Sequence, residues 1–457
     1  MNHIYAFIHE TDFSDLPPEV QNLVPVCVLD LIGALIGGRQ TRLSELIRDH
    51  ASRVFGGDQA TLLLDGRRCS APGAALANGM TIDSMDIHDS FRESLGHAGV
   101  HIFPAVLAVS EQLQASEDRV ISGEQFLTSM VVGYDIACRA ALALHATACD
   151  YHTSGAWGAV SSAALYSRLH ELSPEQTRHA LGIAEYHGPR SQMMRCIDHP
   201  TMLKDGSGWG AMAGVSAGML AAQGFTGAPA ITVEADDVAH YWRDLGSRWM
   251  IMEQGFKPHA VCWWAQPAIE ATLNIVRQHQ LRPEDISHIE VHTFEKAARL
   301  AHPRPATTEE AQYSLPYPVA AAVWIGGDGN DRWYGVGPRQ LLEEYLPDER
   351  VLSLAERIDL IADPDFTARF PARFLARVTV ETGDGRSLDS GETTFRGEQD
   401  LPFSEAELRT KYRWLADDLL SAARVKAIED AVFDLPKQES LQSLLDCLAP
   451  PPDKLSR

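Results

Sequence analysis

Residues 286–294 read ISHIEVHTF. Apolar Ile289 and Val291 alternate with polar His288, Glu290 and His292, the period-two pattern of a half-buried strand. Residues 374–381 (FLARVTVE) repeat that pattern, and GDG at 383–385 turns the chain into RSLDSGE. Residues 359–361 offer a further strand. Segments 265–280, 307–326 and 337–345 between them have helical character. Helices and strands do not alternate strictly, so the pattern favours an α+β unit over a doubly wound parallel sheet.

Both flanks of this region are helical. Upstream, Val20, Leu23, Val24, Cys27, Val28, Leu31 and Leu35 recur at steps of three and four, which places them on one helix face. Pro17 and Pro18 stand at its start, where proline is tolerated. Small-residue segments follow at 72–80, 104–115, 124–145, 155–170, 174–186 and 208–223. Gly155, Ala156, Gly158, Ala159, Ser161, Ser162, Ala163 and Ala164 are typical of them and let helices approach closely. Downstream, Ser404 precedes Glu407 by three residues, a capping-box spacing. Leu415, Leu419, Ala423, Ala427, Ile428 and Val432 then continue one apolar stripe. The expected architecture is therefore mainly α with an inserted α+β domain. A large, discontinuous all-helical domain is expected at 1–252 and 400–457, and the smaller α+β domain at 253–399. A chain of 457 residues exceeds one ordinary core, which agrees with two domains. No internal repeat or low-complexity segment is visible. The end, APPPDKLSR, reads as a loose terminus.

A net charge of -23 disfavours nucleic acid and anionic membrane surfaces as partners. It leaves room for a small anionic substrate, because the field in a cleft depends on the groups lining it. Seven scattered cysteines without a Cys-x-x-Cys pair suggest neither a zinc site nor a disulfide framework. The N-terminus shows no secretory signal pattern, and no apolar run of about 18 residues stands out. The expectation is a cytoplasmic protein with no membrane span.

Motifs for dinucleotides, ATP, the nucleophile elbow and HExxH zinc sites are absent. Polar clusters in Gly-rich, apolar sequence remain. Asp83, Asp86, His88, Asp89 and Ser90 precede Gly96-His97-Ala98-Gly99; the alternative is a helix end with solvated acids. Tyr151-His152-Thr153-Ser154 stands before a small-residue helix, whose N-terminus favours anions; simple capping by Thr153 or Ser154 is the alternative. Lys204 lies beside a Gly-rich turn, where a lysine binds a carboxylate or, once buried, serves as a base, although a lone lysine is usually on the surface. Lys257 and Cys262 fall at the expected domain junction, a common place for small-molecule sites. Tyr317 closes the set as a hydrogen-bond or proton donor, although buried tyrosines are mostly structural.

These clusters, in order, resemble the MmgE/PrpD family. The matching stretches are ALANGMTIDSMDIHDS with GHAGVHIFPA, HTSGAWGAVSSAA, MLKDGSGWGAMAGVSAGMLAAQGFTGAP, GFKPHAVCWWAQPAIEA and YSLPYPVAAAV. The resemblance covers residues 20–440. It implies a helical domain built from both chain ends, an inserted α+β lid, a homodimer, a site between the domains and no metal or organic cofactor. The family includes 2-methylcitrate dehydratase, cis-aconitate decarboxylase and iminodisuccinate epimerase. Functional positions carried over by the resemblance are Asp86, Ser90, His97, His152, Lys204, Lys257 and Tyr317. Two departures mark this chain. The loop from Ser90 to His97 differs in length from that of the decarboxylases, and Cys262 stands where they carry a histidine five residues after the lid lysine.

The shared difficulty is a C–H bond beside a carboxylate. Breaking it needs a base within reach and cations for the developing charge. Lys204 and Lys257 are expected to bind carboxylates or act as bases. His97 and His152 would carry protons, Asp86 would orient one of them, and Tyr317 would donate to the intermediate. Ser90, Arg92, Tyr151 and Cys262 are expected to contact a small polycarboxylate. The two departures favour an epimerase of the iminodisuccinate type, with a dehydratase or decarboxylase as the alternative. A non-catalytic polycarboxylate-binding protein and a purely structural helical protein are further readings.

Overall fold

The computed structural model describes residues 2–326, 333 and 335–454. Its body is a stack of helices: Pro18–Gly38, Ala71–Asp83, Gly99–Glu117, Gly123–Thr147, Gly155–Leu169, Pro174–His187 and Ser207–Ala222. Glycines set how closely they approach. A Cβ on Gly214 would lie 2.3 Å from the Ala159 carbonyl oxygen, and one on Gly79 would lie 2.8 Å from the Cα of Gly208. Backbones in such contact leave no room for even one methyl group. The small residues thus draw Ser207–Ala222 against both Gly155–Leu169 and Ala71–Asp83.

The expectation of no long apolar segment is corrected. Helices Pro18–Gly38 and Gly123–Thr147 are long and apolar enough to cross a membrane, with 83% and 94% of their most apolar windows buried in the protein. Neighbours surround them on all sides, so their apolar residues are not confined to one face.

Four strands form the largest sheet among the described residues, Ile358–Ala362, Ile286–Thr293, Ala376–Thr382 and Ser387–Asp389 in spatial order, beside two short two-stranded pairings. The first pair is parallel, with Ile289 opposite Ile358; the others are antiparallel, with Val291 opposite Val378. Ile289, Val291 and Thr293 point inward as the alternation predicts, and a register shift near Ser287 interrupts it at the start. Helix Gln266–His279 covers the sheet.

Three local expectations change. Segment 307–326 divides into Thr308–Gln312 and Pro316–Ile325. Pro316 cannot supply the N–H that would continue the first helix, so the chain turns at Tyr313–Leu315. Segment 337–345 keeps only the turn Pro338–Leu341. The expected C-terminal stripe is broken between helices Glu405–Ala416 and Ala422–Phe433. The first is capped by Ser404 through the expected capping box and packs on Pro18–Gly38, so the chain's end returns to the helical body. The terminus is tied down as far as Lys454: Arg424 donates to the carbonyls of Pro450 and Pro451, and Lys454 N–H to Leu419. Residues 455–457 of the expected loose end lie outside the described residues.

Candidate active site

The polar clusters converge where helix Ala71–Asp83 ends. Beyond Asp83 the chain turns through Asp86, held in the left-handed region at φ 49°. That conformation costs a non-glycine residue about 1 kcal/mol, and aspartate is among those that tolerate it. Asp86 Oδ1 accepts from Lys257 Nζ at 2.5 Å, and its backbone carbonyl accepts from the same ammonium at 2.9 Å. Lys257 is delivered by a short antiparallel pairing of Ser90–Phe91 with Gln254–Gly255, with Ser90 opposite Gly255. Lys257 and Asp86 are almost fully buried, so each needs the other to offset its desolvation.

His97 lies beside this pair, its Nε2 3.9 Å from Asp86 Oδ1. Its Nδ1 is 2.8 Å from the Asp89 carbonyl oxygen and 3.0 Å from Ser90 Oγ. A carbonyl only accepts, so Nδ1 carries the hydrogen and Nε2 presents a lone pair. Burial, the nearby Lys257 charge and His88 hold His97 well below its ordinary range. It is a neutral imidazole with a free base nitrogen facing Asp86.

Lys204 also adopts left-handed backbone, at φ 50°. Its ammonium donates to Gln312 Oε1 and lies 4.8 Å from the centre of the Tyr313 ring, an attractive arrangement for a cation. Gln312 Nε2 donates to the Ser84 carbonyl at 2.8 Å, and the Gln312 carbonyl accepts from Cys262 N–H at 2.9 Å. One amide residue thus joins the loop after helix Ala71–Asp83, the Lys204 turn and the Lys257–Cys262 segment. Burial, reinforced by Asp86, pushes the Cys262 thiol up to about 12. It stays protonated.

Two acids on the same loops divide in character. Burial alone raises Asp83, but a hydrogen bond from His88 and the charges of His88 and Lys204 outweigh it and hold Asp83 at about 2. For Asp205, burial and the neighbouring Asp83 charge outweigh the hydrogen bonds from Ser154 and push it up to about 8. One carboxylate and one carboxylic acid therefore coexist near neutral pH, a common mark of acid–base sites.

Asp86, Ser90, His97, Lys204, Lys257 and Cys262 share this buried neighbourhood. Tyr151 joins it by donating its hydroxyl to the Leu95 carbonyl, within the loop that carries Ser90 and His97. Two expected residues, Tyr317 and Arg92, point elsewhere. Tyr317 donates its hydroxyl to the Gln340 carbonyl at 2.7 Å, and after burial its main electrostatic neighbour is Asp348. Tyr313, four residues earlier, faces Lys204 instead, because the turn before Pro316 swings it inward. Arg92 extends away to Asp400 at 3.2 Å and lies 3.9 Å from Glu398. His152 is half-buried; its ring Nδ1 meets the Asp150 carbonyl at 2.7 Å and its backbone N–H donates to His145 Nε2.

The residues not singled out for roles from sequence are Gln312, Tyr313, Ser154, Asp205 and the Asp83–His88 pair. Tyr313, Ser154, Asp205 and the pair lay inside quoted motifs. Gln312 gave no signal, being a neutral amide in ordinary helical sequence. Asp83, Asp86 and His88 could each offer one ligand atom to a metal ion, all within 4.8 Å of one another. That set is already committed: Asp86 holds the Lys257 ammonium and Asp83 holds His88. A cation there would have to compete with a buried ammonium, so the donor set fits a metal poorly.

The profile of the MmgE/PrpD N-terminal domain matches residues 2–241, and that of the MmgE/PrpD C-terminal domain matches 259–435. The chain belongs to the MmgE/PrpD family. It is 23% identical to the cis-aconitate decarboxylase-like protein oryM of Aspergillus oryzae, over 96% of this chain and 95% of that protein. It is 24% identical to cis-aconitate decarboxylase of Aspergillus terreus, covering 95% and 92%, and 25% identical to the human cis-aconitate decarboxylase, covering 92% and 87%.

Proposed function

We propose that this chain catalyses proton transfer at a carbon beside a carboxylate of a small polycarboxylate, as a lyase without cofactor. The observation that carries the reading is His97: a buried imidazole, neutral, with its base nitrogen aimed at the Asp86–Lys257 pair. Two buried lysines, Lys257 and Lys204, are suited to receive substrate carboxylates. A substrate carboxylate arriving at Lys257 would replace part of its bond to Asp86. The substrate C–H would then stand between Lys257 and His97 Nε2.

In the forward step, His97 Nε2 takes the proton from carbon. The electron pair left behind spreads onto the adjacent carboxylate oxygens, where the lysine ammonium groups stabilise it. In a dehydration, that pair forms the double bond as the β-hydroxyl leaves with a proton from a neighbouring acid. Tyr313 and Cys262 are both protonated near neutral pH and are candidates for that donor. In a decarboxylation, the C–C bond breaks as carbon dioxide departs, and the electron pair left on carbon takes a proton that the Cys262 thiol or the Tyr313 hydroxyl has passed to His97 Nε2. The names of the relatives favour the lyase direction over the epimerase expected from the sequence.

Epimerisation stays as a second reading because Cys262 gives this site a protonated thiol near Asp86. A donor on the face opposite His97 is what reprotonation with inversion requires.

The second copy of a homodimer is the proposed partner. Tyr186, Leu203, Trp209, Leu220 and Phe225 are exposed on and around the adjacent helices Pro174–His187 and Ser207–Ala222, and apolar side chains of this size on neighbouring elements suit an interface. Light scattering on the purified chain would read the mass directly; a monomer at micromolar concentration would refute it.

The functional test presents cis-aconitate and 2-methylcitrate separately and follows carbon dioxide release and alkene signals. Turnover of one of them, lost by at least about 1000-fold in His97→Gln and in Lys257→Met, is the expected outcome. Full activity in either folded variant would remove that residue from the mechanism.

A further inference from the structure

Three sequence motifs far apart in the chain meet at one hydrogen-bonded bridge that the chemistry above does not use. Ser154 Oγ accepts from the backbone N–H of His97 at 3.0 Å and donates to Asp205. Asp205 also accepts from Ser154 N–H at 2.9 Å, and the Asp205 carbonyl accepts from Gly155 N–H at 3.2 Å. Asp205 is the neighbour of Lys204 in the chain. The bridge therefore runs from the base histidine, through the start of helix Gly155–Leu169, to the turn that presents the lysine.

The surrounding packing leaves this bridge little freedom. A Cβ on Gly96, the residue before His97, would lie 2.5 Å from Ser154 Oγ and 2.7 Å from the Trp157 ring. A Cβ on Gly155 would lie 2.4 Å from the Gly206 carbonyl, and one on Gly210 would lie 2.5 Å from the Gly155 carbonyl. Three glycines therefore allow three backbones to close on one serine. Ser154 stands at the N-cap position of Gly155–Leu169 yet makes no capping bond to its own helix. Its hydroxyl is spent on the other two segments. Ser154 and Asp205 are almost wholly buried, so water does not substitute for either partner.

We propose that Ser154 and Asp205 are positioning residues that fix His97 relative to Lys204, so that base and carboxylate-binding cation act on one substrate. The proposal rests on His97 being the proton-carrying group. Neither bridge residue needs to touch substrate. Their effect passes through the backbone N–H of His97 and the placement of the Lys204 turn.

The test needs no substrate. Chain labelled with ¹³C-histidine is titrated by NMR, with the His97 signal assigned through His97→Gln. In the wild type, His97 stays unprotonated to well below the ordinary midpoint of about 6.5. In Ser154→Ala the signal is expected to move by more than its line width, and its titration to shift upward toward that midpoint as water gains access. Gly96→Ala attacks the same contact from the other side and is expected to give the same direction of change. Leu181→Ala, a buried truncation in helix Pro174–His187, serves as the control: it should lower Tm and leave the His97 signal in place. An unchanged His97 signal in folded Ser154→Ala and Gly96→Ala would overturn the proposal, as would an equal shift in Leu181→Ala. In parallel, Ser154→Ala should lower kcat about 10- to 100-fold with KM within about threefold. If the wild type turns over no polycarboxylate, the functional reading fails while the NMR result still judges the bridge.

Discussion

Lys411 is a lysine that the sequence offered no reason to single out. It lies on helix Glu405–Ala416, fully buried, with its ammonium 2.7 Å from Asp30 Oδ1 and 2.8 Å from the Ile87 carbonyl. Burial pushes Asp30 up and Lys411 down, and their mutual attraction offsets part of both shifts. Removing one partner strands the other charge in the core. Lys411→Met is therefore expected to cost about 3–5 kcal/mol in urea unfolding, while Lys411→Met with Asp30→Leu recovers most of it. A loss below about 1 kcal/mol in the single variant would contradict this account. At this scale the sequence showed which residue types cluster but not which way they face. Tyr317 and Tyr313 sit four apart in one motif, and only the turn forced by Pro316 decides that Tyr313 meets Lys204. Arg92 looked equivalent to its neighbours in the motifs, yet its guanidinium is engaged by Asp400.

Elements were more legible than side-chain directions. The first long helix followed from apolar periodicity, the next ones from their small-residue composition, and the strands from alternation. Breaks inside long apolar stretches were harder to see. The stripe from Leu415 to Val432 keeps its period across Asp417–Ser421, so periodicity alone did not reveal the gap there. The capping box at Ser404 was legible because its chemistry is local: Ser404 Oγ accepts from Glu407 N–H, and Glu407 accepts from Ser404 N–H. Ser404→Ala should destabilise the chain by about 1 kcal/mol in denaturant unfolding. Because this helix also carries Lys411 against the Ile87 carbonyl, fraying at its start should raise hydrogen exchange at residues 404–408 before it affects the loop at 86–97. Simultaneous loss of protection in both segments would show that the cap holds more than its own helix.

For the whole molecule, buried acids set a pH response with a defined sign. Asp205 is raised to about 8, and Asp135 and Glu398 to about 7. Unfolded, these carboxyls release their protons near 4. Their stabilisation is complete below that value and is lost as pH rises through 7 to 8. Buried His97, His101 and His145 are depressed and act in the opposite direction, but only below about 6.5. Asp83, depressed to about 2, adds stability above about 4 that disappears as pH falls toward its folded value. Tm is thus expected to decline between pH 6.5 and 8, and Asp205→Asn to flatten the upper part of that decline. A Tm that rises across the interval would mean that these acids are ionised in the folded chain.

The claim that organises all of this is that His97, with Lys257 and Lys204, moves a proton on and off a carbon beside a carboxylate. The direct measurement is a proton NMR time course in deuterated water, with cis-aconitate, 2-methylcitrate and iminodisuccinate in separate tubes. The account expects deuterium to enter at that carbon, or a new alkene or decarboxylated product to appear, in at least one tube with wild-type chain and in none with His97→Gln. Unlabelled, unchanged acids in every wild-type tube, or deuterium entry at an undiminished rate in folded His97→Gln, would contradict it.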